Sequence, residues 1–320
     1  MLSDLFIVII TFGVIFVLLS SLGQGMSTTI GSLKVGFKGL RQSSIMMLLA
    51  KFIILPIILI VIASFVSFGS TGHQAEIRMA ICVCALTAGA PFIPMVSRLG
   101  KGNLAYAASA SFLLTILTII ILPFTLPTAL KILGTGVILS IESVALPLIV
   151  LMLFPLIAGL LIRARYPDLA KESLRYTRPV AIAALLLETV LYLIASLSDF
   201  TVLYLSGVFI FALAVPIISI IVSYFLSPPF RLRPLPATDP QRDTNITTFV
   251  SIALSNISAI TVATIFILSA YSLAGFAMTI IGIATIIILV LLMAELGRRY
   301  ERETASTNKK PISNTKSPKS

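Results

Sequence analysis

Charge is scarce in this chain. Only 11% of its 320 residues are Asp, Glu, Lys or Arg, whereas soluble domains run about 25%. With 58% hydrophobic residues and a mean hydropathy of +1.09, its main solvent is lipid. Histidine is nearly absent too, and the one copy, His73, falls in a loop. The chain has no His-Glu-x-x-His, no paired intramembrane aspartates and no Gly-x-Ser-x-Gly with an intramembrane His, so an intramembrane enzyme lacks its catalytic groups. The two cysteines, Cys82 and Cys84, sit inside an apolar stretch and offer no disulfide framework. Two residues apart on a helix they point about 200° from each other and cannot share one ion. They read as packing residues, with contact to a soft substrate such as arsenite as the alternative. The Met1–Asp4 start lacks the basic residues of a cleavable signal, so the first apolar stretch is expected to stay as a span.

What the chain has in quantity is continuous apolar sequence. Without water in the bilayer core, backbone polar groups must be satisfied within helices or closed barrels. Runs of about 20 residues without the alternation of a barrel strand select helices. Nine spans are predicted: 5–25, 44–65, 77–96, 104–126, 140–162, 179–197, 203–226, 246–268 and 273–296. The Pro-rich stretch from Pro228 to Asp243 reads as an extended loop between two halves, and 304–320 reads as a disordered tail.

The formal charge of +11 would point to nucleic acid in a soluble protein, but here its distribution carries the information. The loops after spans one, three, five and seven, together with the C-terminal tail, hold 20 of the 23 basic residues. Those segments share one side of the membrane, which the positive-inside rule makes cytoplasmic. The expectation is a multi-pass plasma-membrane protein, in a bacterium an inner-membrane one, with its N-terminus outside and its C-terminus inside. No nucleic-acid partner is implied; the partners are the bilayer and a small solute.

Two spans break the rule that apolar runs are uninterrupted. In the third, Ala88-Gly89-Ala90-Pro91-Phe92-Ile93-Pro94 places a glycine and two prolines where hydrocarbon cannot satisfy the freed backbone groups. In the eighth, Ser251, Ser255, Asn256 and Ser258 cluster at mid-depth. The two spans run in opposite directions and each precedes a long apolar helix. That is the pattern of an inverted repeat whose two broken helices cross near the midplane, and it points to a secondary transporter. Membrane helices also carry proline kinks and polar interhelical contacts with no functional role; the matched positions in the two halves favour a binding site. A channel, the other reading, would need a selectivity filter built by symmetric assembly, and no candidate filter is visible.

Several stretches resemble the bile acid:sodium symporter family, of the bile acid/arsenite/riboflavin transporter superfamily. They are Gly23-Gln24-Gly25-Met26-Ser27-Thr28, Leu48–Pro56, Ala88–Pro94 with Leu99–Asn103, and Ala253–Ser258. The resemblance covers about Leu5 to Leu296 and is to the nine-helix form. It implies an all-α fold with a panel (about 5–25 and 140–197) and a core (about 44–126 and 203–296), alternating access, and a small organic anion as solute. No cofactor is implied beyond sodium or protons as coupling ion. The family's sodium-binding positions are altered: Ile93 and Pro94 stand for a Ser-Asn pair, Ser251 and Ser255 for a Glu and a Gln, and Lys51 for a Gln, while Asn256 is retained. Of two expected hydroxyls, one position reads Ala107 and the other Ser111.

Lys51 lies about 10 Å from the cytoplasmic end of its span. An ammonium there is costly and must face protein or water, unless its stem snorkels to the interface. By the resemblance it occupies the place of a sodium ion, which would make transport sodium-independent. Glu188, mid-span in the sixth helix at a depth of about 15 Å, is the other deep charge, and it is expected to pair with Lys51. The predicted substrate or ion pathway therefore comprises Lys51, Gly89, Pro91, Pro94, Ser111, Glu188, Ser251, Ser255, Asn256 and Ser258. A channel, or an exporter of another solute such as arsenite, is the alternative function.

Overall fold

A computed structural model describes residues 2–29, 31–33, 41–65, 74–195, 208–227, 240–267 and 272–308. Among the described residues the chain is helical, with no strand. The elements are α1 (Leu2–Ser27), α2 (Arg41–Leu49) continued by a π turn (Ala50–Ile54) into α3 (Leu55–Phe65), α4 (Gln74–Leu86), α5 (Ile93–Leu99) and α6 (Leu104–Ile132). Then follow α7 (Ile141–Leu148), continued by a π turn (Ile149–Leu153) into α8 (Phe154–Arg165), and α9 (Pro167–Ala195). The last are α10 (Val208–Leu226), α11 (Pro240–Ala253), α12 (Ile257–Val262) with a π turn (Ala263–Ile267), and α13 (Ser272–Asn308). Eight of the helical stretches are long and apolar enough to cross a bilayer. The third predicted span, 77–96, is absent from that set because it is divided into α4 and α5, neither of which is long enough alone. The chain is a multi-pass membrane protein.

Proline explains two of the π turns. A proline ring clashes with the carbonyl four residues before it and offers no N–H. Pro56 and Pro155 each lie just past a widened turn, which carries the carbonyl away from the ring. No proline accompanies the π turn at Ala263–Ile267, and nothing else in its sequence accounts for it.

Three predicted boundaries are corrected. The basic stretch Arg163–Arg178 is not a loop: Tyr166 alone separates α8 from α9, which opens on Pro167 at a position where a missing N–H costs nothing. Pro240–Asp243 belong to the first turn of α11 and not to a loop; the rest of the predicted Pro-rich linker, 228–239, lies outside the described residues, as does His73. The last helix runs through its charged end to Asn308, past the predicted start of the tail at 304, and 309–320 lie outside the described residues.

Two groups of helices emerge from the packing. Helix α1 lies along α8 and α9. Its closest approach is at Gly25 against Gly159, where a Cβ on either would strike the other helix's backbone, at Leu156 O or Leu22 O. Small residues let membrane helices pack backbone to backbone in this way. Elsewhere α4 packs on α3, α6 and α13, α10 packs on α11 and α13, and α11 packs on α2, α5 and α6. Between the two groups, α1 meets α12 and α6. The most deeply enclosed stretch is Arg242–Ile267, with 94% of its apolar window buried; a helix so enclosed can carry polar groups at a depth where lipid would forbid them.

Candidate functional site

Both predicted breaks exist, and they touch. The first runs from Thr87 to Phe92, the second from Leu254 to Asn256. Gly89 takes φ +86 in the first, a left-handed conformation, and a Cβ there would collide with the backbone N of Thr115. Asn256 ends the second by capping α12, its Oδ1 accepting from Ala259 N at 3.2 Å. Its Nδ2 donates across to Ala88 O at 2.8 Å, and Ser255 Oγ donates to Cys84 O at 2.8 Å.

A break inside a membrane protein strands backbone carbonyls, and each must find a donor. Here polar side chains from neighbouring helices supply them. Thr118 Oγ1 donates to Ala88 O (3.0 Å) and accepts from Ala88 N (2.9 Å). Thr115 Oγ1 donates to Gly89 O (2.5 Å), and Ser111 Oγ to Ala90 O (2.9 Å). From α1, Gln24 Nε2 reaches both hydroxyls, Ser111 at 2.5 Å and Thr115 at 2.9 Å. Lys51 Nζ donates to Ile252 O at 3.3 Å. That carbonyl lies in the last turn of α11, the partially negative end of a helix dipole, where a cation is favoured. Thr87 Oγ1, at the start of the first break, is buried without a partner.

Of the predicted residues, Gly89, Ser111, Ser255, Asn256 and Lys51 come together at the crossing. Lys51 is fully buried within protein and does not snorkel. Ser258 sits just beyond, its Oγ 2.8 Å from that of Ser20 on α1. Ser251 is not directed into the crossing, because its hydroxyl bonds back to Thr247 O on its own helix at 2.7 Å. Glu188 is apart from the cluster, and the expected Lys51–Glu188 pair is not formed: the ammonium is on Ile252 O, and Glu188 Oε2 has no hydrogen-bond partner. Both cysteines are buried.

Beside the crossing is a cavity of about 270 Å³ between α1, α9, the first break and α5. Ser20, Gln24, Pro91, Pro94, Arg98 and Arg178 are among its walls. Among the described residues the positive groups on the cavity are thus two exposed arginines, and not Lys51, which does not line it. Neither arginine, nor Gln24, Ser20, Thr115 or Thr118, was among the predicted site residues. A signal was present for some of them: Ser111, Thr115 and Thr118 fall at i, i+4 and i+7, one face of an otherwise apolar helix.

Among known families, the Sodium Bile acid symporter family matches residues 6–203, more than half of the chain. The chain belongs to the Sodium Bile acid symporter family. No curated protein matches it at a significant level. Members of this family are transporters. The match ends before α11, so the second break, with Ser255 and Asn256, lies outside it and is established by the structure.

Proposed function

We propose that the protein is a secondary active transporter of a small organic anion that works by alternating access. The observation that carries this reading is the contact between two helix breaks, Asn256 on Ala88 O, beside a cavity walled by Arg98 and Arg178. The two broken helices form the crossing of an inverted repeat. α1, α7 with its continuation α8, and α9 form the panel, the remaining helices the core, and the cavity is the half-channel between them. Two guanidinium groups at its wall favour a carboxylate or sulfonate solute, since arginine pairs with planar anions in a fork geometry. Gln24 and Ser20 are the panel's polar contacts with the crossing, and these bonds exchange when one unit moves against the other. The N-terminus is outside and the C-terminus, with its basic residues, cytoplasmic.

Sodium does not fit this crossing. A hard cation needs several convergent oxygens, preferably with a carboxylate. The carbonyls of Cys84, Ala88, Gly89, Ala90 and Ile252 instead accept from protein donors, and no carboxylate belongs to the network. In our reading the Lys51 ammonium stands as a tethered cation in place of the ion. The test is uptake by proteoliposomes, together with thermal-shift screening of purified protein, across a panel of organic anions with sodium or potassium as the only cation. Equal uptake in both salts is expected. Stabilisation or uptake that requires sodium overturns the tethered-cation reading, and ion conductance in a planar bilayer overturns the carrier.

A further inference from the structure

We propose that Glu188 is a proton-binding site through which protons couple to transport, an inference that rests on the carrier reading above. The buried residues of α9 include Ala181, Ala184, Glu188 and Tyr192, spaced as one stripe along the helix. Ala181 walls the cavity. Glu188 follows it on the same face two turns deeper, about 10 Å along the axis.

At that depth the carboxyl meets the other group of helices. A Cβ built on Gly13 of α1 would lie 3.0 Å from Glu188 Oε1 and 3.1 Å from Thr261 Cγ2, so the glycine makes the notch in which α9, α1 and α12 come together. Glu188 is 6% exposed, and its Oε2 has no partner. Among the described residues the faces of α1, α12 and α13 around it are without charge: α1 from Leu5 onward, 257–267 and 272–294 contain no ionisable side chain. Tyr192, on the same helix, is within electrostatic reach of Glu188 and also of Glu76 on α4, whose Oε2 accepts from Ala274 N. Lys51 is committed to Ile252 O.

An ionised carboxylate with no cation at this depth would carry a large desolvation cost, so the enclosed group holds a proton. The same group loses that reason to stay neutral once water reaches it. Its position decides when that happens. Glu188 lies at the joint between α1–α9 and α12, the surface that must part for access to alternate. Above it Phe16, one turn from Gly13 on α1, stacks on Phe92 of the first break with centroids 6.4 Å apart and planes 12° from parallel. Both rings wall the cavity, and Phe16 is the cavity-lining residue of α1 nearest in sequence to Gly13. A proton taken up when the joint opens to one side is carried, occluded and neutral, to the other.

The full chain in lipid nanodiscs is treated with N,N′-dicyclohexylcarbodiimide, which modifies protonated carboxyls in apolar surroundings, and mapped by mass spectrometry. Modification at Glu188 is expected, falling at least tenfold from about pH 5 to about pH 9 and absent in Glu188→Gln. No modification, or modification that ignores pH as a permanently protonated structural residue would show, overturns the proposal. With an anion found by the uptake screen, Glu188→Gln is expected to keep exchange of internal for external anion and to lose acceleration by an inward proton gradient; acceleration retained in the variant also overturns it. If the modification titrates while no anion is carried, the carrier reading falls and the proton site stands. If anions are carried while the modification does not titrate, the proton site falls alone.

Discussion

Asn256 binds the two broken helices to each other: its amide nitrogen donates to Ala88 O at 2.8 Å while its amide oxygen caps α12 through Ala259 N. The two functions can be separated by substitution. Asn256→Ser keeps a good capping oxygen but cannot reach Ala88, whose carbonyl then keeps only the Thr118 hydroxyl, so one hydrogen bond is lost at a cost of about 1 kcal/mol. Asn256→Ala loses the cap as well, a further loss of about 1 kcal/mol. Thermal unfolding of detergent-purified protein is expected to rank wild type above Asn256→Ser and that above Asn256→Ala. Equal stability of the two variants would show that the cap contributes nothing.

Lys51 separates stability from transport. Methionine is near it in length, and replacing a buried charge by an apolar group of similar volume is often neutral or stabilising. Against that, Ile252 O loses its side-chain donor, a cost of about 1 to 3 kcal/mol. The two terms offset, so Lys51→Met is expected to unfold close to the wild-type temperature while its uptake falls tenfold or more. Wild-type uptake in this variant would mean that the ammonium is a bystander.

The span count and the places of both breaks were legible because lipid imposes a strong pattern. Gly89, Pro91 and Pro94 in one apolar run, and Ser255 with Asn256 in another, each announce backbone that a helix cannot satisfy. What was not legible was which side chains would do the satisfying. Ser251 and Ser255 look alike in sequence, yet a four-residue spacing on a helix and a break between them send one hydroxyl to Thr247 O and the other across to Cys84 O. Gln24 was visible only as part of a family-like run, since nothing local says that its amide reaches two hydroxyls on α6. Helix ends were misplaced where charge was taken as a loop signal: Arg175 and Arg178 sit on exposed helix, where a charged residue costs nothing.

Gly89 combines two constraints. A residue with a Cβ at φ +86 is strained, and here that Cβ would also meet the backbone of Thr115 on α6. Backbone cannot swing aside as a side chain can, so Gly89→Ala is expected to lose more than about 2 kcal/mol and to give little monodisperse protein on size-exclusion chromatography. Gly134, also at positive φ but with open space around it, is the control: Gly134→Ala carries the backbone strain alone and is expected to give material close to wild type in yield.

The two arginines on the cavity test what the solute is. Each guanidinium that pairs with an anionic group contributes about 1.5 to 3 kcal/mol through charged hydrogen bonds, or roughly tenfold to a hundredfold in affinity. Arg98→Gln and Arg178→Gln are therefore expected to raise the apparent KM for the transported anion by about tenfold each. Stability should be nearly unchanged, because both side chains are exposed. Because exposed charges are screened within about 10 Å at moderate ionic strength, wild-type KM should rise with added salt more steeply than that of either variant. Lys101 is the internal control: it too is basic and exposed, but its Nζ is engaged by Glu301 at 2.7 Å, and it does not wall the cavity. Lys101→Gln should leave KM where it was; if it shifts KM as far as the arginine variants do, the anion is drawn by overall surface charge and not held by Arg98 and Arg178.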